Sequence, residues 1–222
     1  MLKAFRNRQP DATLGRVVWW WMVQSASHIW CAVFYRYRAW GARNVPRAGP
    51  VLLLSNHQSY LDPVLVGIAG HRRQFYAMAR STLFRNWAFG WLIRSINAIP
   101  VQRGQADMQA MRRSIDTLKR GQALLLFPEG TRTTDGTTKP FAKGTMILIK
   151  RAKPIVVPVA VEGAYDVWPK GRRAPKLRGK TSVAFGLPIE PEKLLEMGDE
   201  QGLEHVRGQI EQMRLDLARK RS

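Results

Sequence analysis

The stretch that decides how this chain is read is Val51-Leu52-Leu53-Leu54-Ser55-Asn56-His57-Gln58-Ser59-Tyr60-Leu61-Asp62. Its first half is a short apolar run without polar alternation, which suits a strand buried on both faces. Its second half turns polar at once, and strand ends in α/β sheets are where side chains converge on a crevice. Further short apolar runs bounded by turn residues lie at 74–79, 98–102, 122–127, 155–161 and 181–185, each a strand candidate. Between two of them, residues 106–120 place Met108, Met111, Ile115 and Leu118 on one helical face, with Gly121 as a stop. Residues 143–152 form another helix candidate. Leu203, Val206, Ile210, Met213 and Leu217 recur at spacings of 3, 4, 3 and 4, an amphipathic C-terminal helix expected to dock on the sheet. Strands alternating with helices predict an α/β fold with a central, mostly parallel sheet flanked by helices.

Upstream, residues 1–16 are polar and basic, followed by Val17-Val18-Trp19-Trp20-Trp21-Met22-Val23, a polar interruption at Gln24–His28 and a second apolar run to Tyr35. The small residues around Ser25–Ser27 resemble a signal-peptide cleavage site, but the apolar run is short, rich in Trp and resumes immediately. A spanning helix would bury Gln, Ser and His at its centre, which is costly. Three consecutive Trp beside arginines suit the water–lipid boundary instead. A membrane-embedded or interfacial helical hairpin is therefore expected over 17–35, with a true span or an ordinary core helix as the alternatives, within an N-terminal element at 1–45 that precedes an α/β domain at 46–222. Cys31 is the only cysteine, so no intrachain disulfide is possible; in its apolar setting it reads as a small packing residue rather than a nucleophile.

Thirty-six Lys and Arg against sixteen Asp and Glu give a net charge of +20 over 222 residues. Such a surface attracts nucleic acid, anionic membrane or phosphorylated substrates. The basic residues are dispersed and form no recognisable nucleic-acid module, so no nucleic-acid partner is expected. The charge is read mainly as holding the chain on anionic lipid. A non-catalytic basic protein that binds membrane or nucleic acid is the alternative from a different functional class.

Asp62 follows His57 by five residues across a turn, a spacing that can bring the carboxylate to one imidazole nitrogen. The other nitrogen is then left as a general base with its tautomer fixed. No enzyme nucleophile accompanies the pair, so the nucleophile should be a hydroxyl of the substrate. The competing reading is that His57 caps a turn and Asp62 caps a helix beginning at Pro63. Phe127-Pro128-Glu129-Gly130-Thr131-Arg132 also follows an apolar strand. Gly130 lets backbone approach a ligand closely, and the Arg132 guanidinium offers a planar fork suited to phosphate. Glu129 could hold Arg132 or accept a substrate hydroxyl. Lys143, ahead of a helix, adds a cation where a helix N-terminus already favours anions, and Arg103 is a further candidate. On a chain of this charge, each of these cations could equally be a solvated surface group. His28, His57, His71 and His205 show no metal-ligand spacing.

Taken in order, these stretches resemble the glycerolipid acyltransferase family, in its 1-acylglycerol-3-phosphate branch. That family's blocks are N-H-x-x-x-x-D, a following block ending in Arg, F-P-E-G-T-R, and a short apolar block containing Pro. Here they look like Asn56–Asp62, Ile96–Arg103, Phe127–Arg132 and Ile155–Val161 with Pro158. The resemblance covers roughly residues 50–165. The second block departs, with Asn97-Ala98 where relatives often have Gly, so that only Arg103 carries over. The resemblance implies that His57 deprotonates the acceptor hydroxyl and that Asp62 orients it. Arg103, Arg132 and Lys143 would bind the acceptor phosphate, with Glu129, Gly130 and Thr131 shaping that site, and the Pro158 block would serve the acyl side. It further implies direct transfer from acyl-CoA or acyl carrier protein, without a metal or cofactor, onto lysophosphatidic acid to give phosphatidic acid. Glycerol 3-phosphate or a lyso-aminolipid is the alternative acceptor. Because thioester donors are cytosolic, the catalytic domain is expected to face the cytoplasm from the inner membrane.

Overall fold

The computed structural model describes residues 13–69, 73–102 and 107–221. Its centre is β2 (Val51–Ser55), all five residues of which are buried. Parallel neighbours lie on both sides of it: β5 (Ala123–Leu126), with Leu54 opposite Leu126, and β6 (Ile155–Glu162), with Leu54 opposite Pro158. Beyond β5 come β3 (Phe75–Arg80) and β4 (Ala98–Val101), again parallel. On the far side β7 (Ser182–Phe185) runs antiparallel to β6, and β1 (Arg38–Trp40) closes the edge, giving the order β1-β7-β6-β2-β5-β3-β4. The expected mostly parallel sheet is therefore present, and each strand expected from sequence lies within one residue of its observed ends. The three-residue β1 was not expected, and its burial pattern is exposed throughout.

Successive residues of β2 feed opposite faces of the sheet, as the pleat requires. On one face Leu53, Leu125 and Val157 pack with Cys31 and Tyr35 of α1 (Leu14–Tyr35) and with Leu65 and Val66 of α2 (Asp62–Ala69). On the other, Leu52, Leu54 and Leu124 pack with Leu118, Met146, Ile149, Val206 and Ile210 from the helices of that face. Helix α3 spans Trp87–Ser95, α4 Met108–Lys119, α5 Gly144–Ala152, α6 Ala164–Val167, α7 Pro191–Glu196 and α8 Asp199–Arg221. At the end of α4 the chain takes φ +73° at Gly121, whose N–H bonds Leu118 O at 2.8 Å, the left-handed stop that glycine permits.

The N-terminal expectation needs correction in two respects. Residues 14–35 form one uninterrupted helix, not a hairpin. Within the polar interruption Gln24 Nε2 donates to Gly67 O at 2.8 Å, and His28 meets Tyr37 edge to face at 5.9 Å. The boundary at residue 45 also cuts through the framework, since β1 belongs to the sheet and α1 enters its core. No helix among the described residues is long and apolar enough to cross a membrane.

One of the dispersed arginines is internal. Arg73 is buried opposite the strand ends that carry the motifs, donating to Pro46 O at 3.2 Å, to Gly49 O at 2.6 Å and to Gly121 O. Burial lowers its pKa to about 10, and the three carbonyls join the loops before β2 and β5.

Candidate active site

The register that pairs Leu54 with Leu126 places His57 and Glu129 the same three residues beyond the pair. Both loops therefore leave the sheet side by side. Asn56 extends β2 with its side chain, donating from Nδ2 to Val161 O at 2.9 Å and accepting from Val161 N–H at 2.8 Å. The next residue, His57, is held by its backbone at both ends: its N–H donates to Glu129 Oε1 at 2.8 Å, and its carbonyl accepts from Thr133 N–H at 2.8 Å. The imidazole stacks on Phe127, with centroids 4.1 Å apart and planes 19° apart.

His57 Nδ1 lies 2.7 Å from Asp62 Oδ2. The same oxygen accepts the N–H groups of Gln58 and Ser59, each at 2.7 Å, while Asp62 itself is fully buried at the first turn of α2. Closing the turn and holding the imidazole thus do not compete here. One carboxylate oxygen closes the turn and pairs with Nδ1, which favours the tautomer with the proton on Nδ1 and the lone pair on Nε2. Ser59, the hydroxyl two residues from the base, is turned away and donates to Trp168 O at 2.8 Å. Cys31 is buried on α1, and burial raises its thiol pKa to about 11. Neither is placed to be a nucleophile for His57.

Glu129 bonds the backbone of His57 and, among the described residues, makes no bond to Arg132. One oxygen holds the His57 backbone and the other is buried without a partner. Burial, reinforced more weakly by the charge of Asp62, raises its pKa from 4.5 to about 7 against the lowering effect of the His57 and Lys139 N–H groups and the Lys139 charge. Between those two values the folded chain holds a proton that the unfolded chain has released, so the stability from this group is complete below about pH 4.5 and is lost as pH rises through about 7. Glu129→Gln, which keeps an acceptor for the His57 N–H, should therefore gain urea stability relative to the parent at pH 8 compared with pH 5. An equal difference at the two pH values would exclude a buried, proton-holding Glu129.

Arg132 is only 8% exposed, and its Nη1 is buried without a partner. Its guanidinium carbon lies over the Tyr60 ring, 3.4 Å from the centroid. Gly130, at φ +67°, has nothing within 4 Å of where a Cβ would stand, so glycine answers the backbone conformation and leaves open space beside the loop. Thr131 is half-buried between them. Lys143 does not join the group. Its backbone is close, since Ala142 N–H bonds Pro128 O at 2.9 Å, but its side chain is 83% exposed and pairs with Glu200 Oε1 at 3.0 Å. Arg103 lies outside the described residues.

Three residues at this edge of the sheet were not singled out from the sequence. Arg80 is the exposed last residue of β3, at the edge of the sheet where β2 and β5 also end. Tyr60 touches Arg132. Gln58 bonds Gly136 O at 3.0 Å and Glu162 Oε2 at 3.3 Å, and Glu162 is held in turn by Arg214 at 3.0 Å and Arg221 at 3.2 Å from α8. Position at a strand's C-terminal end could have flagged Arg80; nothing local marks the other contacts.

Fold and site together define an α/β protein with a histidine–carboxylate pair in the loop after the central strand β2, beside a buried arginine from the loop after the neighbouring parallel strand β5. The chain belongs to the acyltransferase family, whose model matches residues 36–162. It is 33% identical over 168 residues to a 1-acyl-sn-glycerol-3-phosphate acyltransferase of Streptococcus pneumoniae, covering 74% of this chain and 60% of that protein. It is 27% identical over 172 residues to a chloroplastic 1-acyl-sn-glycerol-3-phosphate acyltransferase of Arabidopsis thaliana, covering 74% of this chain and 48% of that one. These alignments thus span about half to three-fifths of the length of those relatives. The crystal structure of the 1-acyl-sn-glycerophosphate acyltransferase of Thermotoga maritima shares the fold, with a TM-score of 0.80 at 24% identity over 98% of this chain and 86% of that one.

Proposed function

We propose that this chain acylates 1-acylglycerol 3-phosphate to phosphatidic acid, using an acyl thioester of coenzyme A or acyl carrier protein. The observation that carries the reading is the His57–Asp62 pair, with Nδ1 pinned, no hydrogen bond at Nε2 among the described residues and the neighbouring Ser59 hydroxyl engaged elsewhere. Nε2 takes the proton as the acceptor hydroxyl attacks the thioester carbonyl. The tetrahedral intermediate then collapses, the C–S bond breaks, and the departing thiolate recovers the proton from the imidazolium. Asp62 stays ionised and stabilises the imidazolium. Arg132, buried with an unused N–H group, supplies a fork for the acceptor phosphate. The names of the relatives above support this acceptor over glycerol 3-phosphate or a lyso-aminolipid.

An acceptor panel run with both thioester donors tests the proposal. Arg132→Ala should raise the KM for lysophosphatidic acid by about 10- to 100-fold, the loss of a charge-assisted hydrogen bond. It should leave a phosphate-free monoacylglycerol unaffected. Equal losses on both acceptors would remove the phosphate role.

The second element of the proposal is a membrane-surface location without a span. The outer face of α1 exposes Leu14, Val18, Trp21, Met22, Ile29, Trp30 and Val33, and α3 exposes Trp87 (84%), Phe89 and Trp91. The two helices touch through Trp19 and Trp91, whose centroids are 5.5 Å apart, and through Trp19 Nε1, which donates to Ser95 Oγ at 2.8 Å. Apolar aromatic surface on a chain of net charge +20 suits an anionic bilayer. The donor chemistry then sets the site toward the cytoplasm. Changing Trp21, Trp30 and Trp87 together to Ser should reduce co-sedimentation with phosphatidylglycerol-containing vesicles by about tenfold or more. Unchanged partitioning would assign the patch elsewhere.

A further inference from the structure

We propose that Tyr60 is a positioning residue for the acceptor, acting through Arg132; this rests on the reading of Arg132 as the phosphate ligand. Arg132 could in principle point its guanidinium in many directions, because its side chain is long. In this fold the guanidinium carbon sits 3.4 Å from the centroid of the Tyr60 ring. A ring beneath the flat face of a guanidinium occupies the face and leaves the in-plane N–H edge available to an anion. That edge has unused capacity, since Nη1 is buried and unpartnered.

The platform is itself supported. Tyr60 packs on Trp168 at 5.1 Å between centroids, and Trp168 is fixed by its Nε1 donating to Arg172 O at 2.9 Å and by its carbonyl accepting from Ser59 Oγ at 2.8 Å. The tyrosine hydroxyl makes no hydrogen bond among the described residues, so the aromatic face carries the contact. Tyr60 also lies inside the turn closed by Asp62, between the base and its carboxylate. One turn therefore sets both ends of the acceptor: His57 addresses the hydroxyl, and Tyr60, through Arg132, addresses the phosphate. The local sequence does not show this, because Tyr60 and Arg132 come from different loops.

The test is steady-state acyl transfer by the full chain at saturating acyl thioester, with lysophosphatidic acid varied, for Tyr60→Phe, Tyr60→Leu, Arg132→Ala and the Tyr60→Leu/Arg132→Ala double variant. Tyr60→Phe keeps the ring and should hold acceptor KM within about twofold, whereas Tyr60→Leu should raise it about tenfold with kcat changed less than about threefold. In the Arg132→Ala background the leucine substitution should add almost nothing to KM. A kcat loss at constant KM overturns the proposal, as does an equal KM penalty in both backgrounds or a Phe variant as impaired as the Leu variant. If Arg132→Ala leaves KM unchanged, the phosphate reading falls and this inference with it; if Arg132→Ala raises KM and Tyr60→Leu does not, only the role of Tyr60 falls. Should thermal melting show that Tyr60→Leu is unfolded, Tyr60→Met carries the same comparison.

Discussion

His57→Ala is expected to lower kcat for acyl transfer by on the order of 10²- to 10⁴-fold, the usual contribution of a positioned general base, with acceptor KM little changed. The reason is specific to the geometry. Nδ1 is committed to Asp62 at 2.7 Å, so Nε2 is the ring atom that can take the hydroxyl proton, and Ser59 cannot substitute because its Oγ is bonded to Trp168 O. The fold should survive the change. The ring is partly exposed at its outer side, and Asp62 keeps the N–H groups of Gln58 and Ser59. Circular dichroism and vesicle binding should match the parent while turnover is lost. Turnover near the parent's would sink the proposed mechanism outright.

Asp62→Asn separates orientation from charge and carries the second-largest expected effect. The asparagine carbonyl can still accept from His57 Nδ1–H and from the two backbone N–H groups. Its NH2 must then occupy the place of Oδ1, which is buried and without a partner. The variant keeps the tautomer but loses the negative charge beside the imidazolium, and it buries an unsatisfied donor. We expect kcat to fall by about 10²- to 10⁴-fold and stability to fall by about 1–3 kcal/mol. Rates from single-turnover experiments and urea midpoints measure the two losses separately. A stability loss with turnover intact would make Asp62 a turn cap alone.

Much of the core and the contact between His57 and Asp62 were legible because the signals are local. An apolar run from Val51 to Leu54 with no polar alternation suits a central strand whose two faces are both covered, and the polar residues that follow stand at its end. His57 and Asp62 belong to one turn, so their spacing carried most of the geometry. For Glu129 two roles were open, holding Arg132 or accepting a substrate hydroxyl, and the contact it makes to His57 was not foreseen, for a different reason. Its partner depends on which strands are neighbours and in what register, and only the pairing of Leu54 with Leu126 brings its carboxylate to the His57 N–H. Lys143 was expected at the phosphate site from its place ahead of a helix. Backbone position does not fix where a long side chain points, and in the fold it reaches Glu200.

The sequence by itself determined the α/β class, six of the seven strands, the His57–Asp62 spacing and the arginine block, because each is written in residues close together along the chain. Only the tertiary structure decided how those pieces serve one another. It made residues 14–35 a single helix, in which Gln24 bonds Gly67 O. It turned Arg73 from a surface charge into an internal clasp, and it tied the motif through Gln58 and Glu162 to Arg214 and Arg221 at the far end of the chain. The physical reason is common to all of these: a buried polar group must be satisfied, and which distant group satisfies it is settled when the strands choose their neighbours.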